Sequence, residues 1–109
     1  MPKNVGSFEF TVLALVLKLG EQAYAVSIRE ALEARTGRAI TRGALYTTLA
    51  RLEDKGLVRS RMSVPLPIRG GKARRYYRLT AAGQRAMAAT RAEMVRAWRG
   101  LGQLLEELP

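Results

Sequence analysis

The stretch TRGALYTTLARLEDKGLV, residues 41–58, decides how the chain is read. Leu45, Leu49 and Leu52 recur at helical spacing, which sets three apolar side chains on one face of a helix running from about Arg42 to Lys55. Thr41 offers a side-chain oxygen to cap its first turn, and Gly56 ends it. With the leucines turned inward, the outward arc contains Gly43, Thr47 and Ala50, flanked by Arg42, Tyr46 and Arg51. That face is small at its centre and cationic at its edges.

Upstream, the spacing predicts two more helices. The first, from Phe8 to Leu19, is apolar almost all round and so deeply buried, with Ser7 as its N-cap and Gly20 as its stop. The second runs from about Ala25 to Thr36, burying Ile28, Ala31 and Leu32 and ending at Gly37. Downstream the period changes. Residues Leu57–Ser63 and Arg74–Leu79 read as strands, with Val58, Met62, Tyr77 and Leu79 facing inward. Pro65, Pro67 and the Gly70-Gly71 pair make the segment between them a loop, so the two strands form a β-hairpin with a long basic tip.

Thr80 caps a final helix expected from Ala81 to about Leu108. Met87, Met94, Trp98, Leu101, Leu105 and Leu108 follow the spacing of a coiled-coil seam, interrupted at Arg91. A chain this small has little left to cover such a seam, so a partner chain is its natural cover, with a kink near Gly100 and Gly102.

Composition narrows the function. The 109 residues suffice for one compact unit, divided into a domain over 1–80 and a dimerisation helix over 81–109. Nineteen Lys and Arg against nine Asp and Glu give a net charge of +10, a balance that seeks polyanions. With no His and no Cys, thiol nucleophiles, imidazole bases, disulfides and the usual metal ligands are all absent; no cofactor, metal site or catalytic residue is expected. Glu53-Asp54 and Glu106-Glu107 read as solvated surface rather than as catalytic acids. The first apolar segment carries Glu9 and Lys18 and is too short to span a bilayer, so a cytoplasmic protein is expected.

The fold class is therefore mainly α with a small β-hairpin: a winged helix-turn-helix followed by a long dimerisation helix. In that arrangement the third helix enters the major groove. Gly43 lets the helix approach base edges, where Thr47 can meet a base and Arg42 a guanine, while Tyr46, Arg51 and the helix N-terminus at Thr41 suit phosphates. Arg69, Lys72, Arg74 and Arg75 supply a basic hairpin for adjacent backbone or the minor groove. Tyr46 reads equally well as an amphipathic core-edge residue, and Tyr77 reads better as one. A winged helix serving protein interaction or RNA binding would carry the same charge.

These residues resemble the PadR-like regulators. The resemblance rests on FEFTVLALVL (8–17), YAVSI (24–28), the quoted run 41–58 and GGKARRYYRLTAAG (70–83), nearly the whole chain. It implies a homodimer that binds operator DNA and usually represses, with the tyrosine at Tyr46 and the basic hairpin residues as DNA contacts. It looks like the subgroup with a short tail. The chain departs from the pattern in its longer hairpin loop, with Pro65 and Pro67, and in Ala25, where the family commonly has Gly. Two-fold symmetry would set the recognition helices about 34 Å apart on a roughly palindromic operator. The resemblance also implies aromatic or planar effectors, for which Met94 and Trp98 at the seam are the candidate surface.

Overall fold

The computed structural model describes residues 5–64 and 73–109. Helices α1 (Ser7–Leu19), α2 (Ala25–Thr36) and α3 (Arg42–Asp54) are followed by strands β1 (Val58–Met62) and β2 (Arg75–Leu79), then by α4 (Ala81–Ala97) and α5 (Gly102–Glu106). A single 3₁₀ turn, Gly20–Gln22, joins α1 to α2.

The start of α1 differs from expectation. Gly6, not Ser7, is the N-cap: its carbonyl accepts the Phe10 N–H at 2.8 Å, and its own N–H donates to the Glu9 carboxylate at 3.3 Å. Glu9 thus satisfies a backbone donor that a Ser7 cap would have left open. The helix is also less enclosed than its composition suggests, since Val12, Leu13, Leu15 and Val16 are buried while Leu17 is 59% exposed. Gly20 closes α1 and Gly37 closes α2, the latter at φ 69°, in the left-handed region.

The core lies where α1, α2 and α3 meet the hairpin. Ile28 and Leu32 of α2 and Leu45, Leu49 and Leu52 of α3 are fully buried against α1, as their spacing predicts. Ala31 is only partly covered. The strands pair antiparallel, Val58 opposite Leu79 and Ser60 opposite Tyr77. Val58 and Tyr77 are buried and Leu79 half-buried, but Met62, expected inward, is exposed. It pairs with Arg75 two residues beyond Ser60, where α3 holds the strand through Glu53, and the core does not extend that far.

A feature absent from the sequence reading widens the sheet. Tyr24 forms an isolated antiparallel bridge with Tyr76, and the Tyr77 N–H donates to the Ala23 carbonyl at 2.9 Å. The residues before α2 therefore fasten the hairpin to the helical core.

Thr80 caps α4, accepting the Gly83 N–H at 3.0 Å, and its hydroxyl donates to the Gly56 carbonyl at 2.6 Å. The expected single helix to Leu108 is two helices. Gly100, at φ 79°, turns the chain between α4 and α5, so the break falls at the glycines where a kink was expected. Among the described residues, no helix is long and apolar enough to cross a membrane.

Candidate nucleic-acid interface

The turn between α2 and α3 is held by side chains at both ends. Glu33 accepts the Ile40 N–H at 2.8 Å, and Thr41 accepts the Ala44 N–H at 3.1 Å. Thr48, buried beside the leucines, donates to the Ala44 carbonyl at 2.9 Å. With that face inside, Thr41, Arg42, Gly43, Tyr46, Thr47, Ala50 and Arg51 are all exposed. Tyr46 is 51% exposed, so it stands on the surface rather than in the core.

The hairpin brings Arg74 and Arg75 to the same side. Tyr46 of α3, Tyr24 and Val26 at the start of α2, and Arg74, Arg75 and Tyr77 of the hairpin line one cleft of about 240 Å³. Arg42, Arg29, Val26 and Tyr46 line the adjoining hollow, so Tyr46 is common to both. Four residues singled out from sequence, Arg42, Tyr46, Arg74 and Arg75, thus line two adjoining hollows that meet at Tyr46. Arg51 lies elsewhere: its charge acts on Glu9, near Lys55. Arg69 and Lys72 lie outside the described residues.

Two of the cations are held in place. The Arg74 guanidinium stacks over the Tyr24 ring, 4.4 Å from its centroid. Arg75 donates to the Ser60 hydroxyl at 2.9 Å, and Ser60 donates its own proton to Glu53, with its Oγ 2.8 Å from Oε2. The Ser60 N–H donates to the same carboxylate at 3.0 Å. Glu53 is therefore half-buried and ties the hairpin to α3, not the solvated acid its place at a helix end suggested. Burial raises the Tyr77 hydroxyl above its ordinary pKa, against the pull of Arg75, so it stays neutral beneath the cleft.

Arg29 was not singled out from sequence. Its Nε is buried without a hydrogen-bond partner among the described residues, beside Arg42. Only the packing of α2 on α3 brings the two together; no local spacing signals it.

The family model described as the transcriptional regulator PadR-like family matches residues 12–89. The chain belongs to this family. No match is found among curated protein sequences. A PadR family transcriptional regulator from Eggerthella lenta is 33% identical over 89% of this chain and 82% of its own, with a TM-score of 0.66. A PadR-like transcriptional regulator from Bacillus cereus is 17% identical and covers 93% of each chain, with a TM-score of 0.72. A transcriptional regulator from Thermoplasma acidophilum is 21% identical over 91% of this chain and 93% of its own, with a TM-score of 0.68. The last two identities speak for the fold alone. This PadR-like regulator shares its fold with all three.

Proposed function

We propose that this PadR-like regulator is a homodimeric, cytoplasmic repressor that reads a roughly palindromic operator. The observation that carries the reading is the pair of adjoining hollows lined by Arg42, Tyr46, Arg74 and Arg75 beside the exposed arc of α3. Gly43 and Thr47 let α3 approach base edges, where Thr47 and Arg42 select sequence. Tyr46, Arg74, Arg75 and the N-terminus of α3 at Thr41 take phosphates. Arg29, in the wall of the hollow beside Arg42, adds a further cation to that surface.

A second copy of the chain covers the C-terminal seam. Met94, Trp98, Leu101 and Leu105 are all exposed, while Met87 is half-buried against the core of its own chain. Phe10, Arg91, Met94, Val95 and Trp98 line a mostly apolar groove of about 360 Å³, which suits a partner helix or a planar aromatic effector stacked on Trp98.

Selection of duplexes from a random pool by the purified protein tests the reading. A palindrome is the expected product. Tighter binding of single-stranded RNA than of any duplex, or a salt dependence with no sequence-dependent remainder, would remove it.

A further inference from the structure

The hairpin has a second cationic face that the cleft does not use. Ser60 points toward α3, where it meets Glu53, and Tyr77 points into the core. Side chains alternate along a strand, so Arg59, Arg61, Tyr76 and Arg78 project from the opposite side of the sheet. Arg59 and Arg78 are directly paired across the strands, and like charges so placed oppose the pairing. Neither forms an ion pair with a described residue. Arg61 sits over the Tyr76 ring, 5.1 Å from its centroid, which restrains its guanidinium beside them.

Resting on the reading of the chain as a DNA-binding regulator, we infer that this outer face binds the phosphate backbone of a second DNA duplex, without regard to sequence. Charge complementarity argues for that occupant. Three guanidinium groups on one face, two of them mutually repelling, gain most from a polyanion, and a regulator held on DNA is surrounded by one. Arg59, Arg61 and Arg78 line neither the cleft nor its adjoining hollow, and Tyr24, whose ring meets both Arg74 and Tyr76, marks the border between the two surfaces.

The test uses the full chain bound to an immobilised duplex carrying the pool-selected sequence, offered a labelled duplex of unrelated sequence at stepped salt. The wild type should retain the labelled duplex, with a steep loss as salt rises. The combined Arg59→Ser, Arg61→Ser, Arg78→Ser variant should occupy the immobilised duplex normally yet retain the second at least about tenfold less, and the corresponding three Lys substitutions should restore most of it. Equal retention by wild type and Ser variant overturns the inference, as does occupancy of the immobilised duplex with no capture of a second. Weakened binding of the Ser variant that depends on the length of the immobilised duplex places the contacts on flanking DNA and also overturns it. If the wild type occupies no duplex at all, the DNA-binding reading itself fails.

Discussion

Gly83 of α4 lies directly against the backbone carbonyl of Leu57: a Cβ on Gly83 would stand 2.0 Å from that oxygen. The contact sets how closely α4 packs on the start of the hairpin. An alanine favours a helix over glycine by about 1 kcal/mol, but here the clash decides the sign. Gly83→Ala should lower unfolding stability by about 3 kcal/mol in urea titration. Gly102→Ala, where a Cβ meets nothing within 4 Å, is the control and should not destabilise the fold.

Arg42→Ala and Tyr46→Ala should each weaken binding to a selected duplex by about 1–3 kcal/mol in a fluorescence titration. Both side chains are exposed, so the circular dichroism spectrum and melting temperature should stay near those of the wild type. Normal binding by both variants would mean that α3 is not the reading element.

Trp98 is 52% exposed, so the chain alone gains little from it. Trp98→Ala should therefore leave the fold intact while weakening the dimer by about 2 kcal/mol, measured by sedimentation equilibrium. An unchanged dimer would place the interface elsewhere.

Burial of the Glu9 carboxyl raises its pKa, but the hydrogen bonds from Lys55 and Gly6 and the charges of Lys55 and Arg51 outweigh it, and the net shift is downward. A depressed carboxylate stabilises the fold above the ordinary carboxylate range and loses that contribution as pH falls through its folded value. Lys55 Nζ lies 3.0 Å from Glu9 Oε2, at the protein surface. Glu9→Gln should cost at most about 1 kcal/mol at neutral pH, and the difference from wild type should shrink in acid and in high salt. A difference constant with pH would rule out the pair as its source.

The helices were legible because their signals are local. Leu45, Leu49 and Leu52 repeat every three or four residues, and Thr41, Thr80, Gly37 and Gly56 mark ends by their own conformational chemistry. The roles of Glu53 and Arg29 were not legible, because each depends on a neighbour from another element: Ser60 on β1 for Glu53, Arg42 on α3 for Arg29. Met62 obeyed the alternation of its strand and was still exposed, since alternation names a face and not how far the core reaches beneath it.

By itself, the order of residues determined the helix–hairpin–helix succession, the inward leucines of α3 and the cationic balance, all set by periodicity and composition. Only the tertiary structure decided which cations share a surface. Arg42 and Arg75 are far apart along the chain and line adjoining hollows that share Tyr46, with the hairpin held there by the Tyr24–Tyr76 bridge and the Glu53–Ser60 bonds, and contacts between distant segments leave no trace in local spacing.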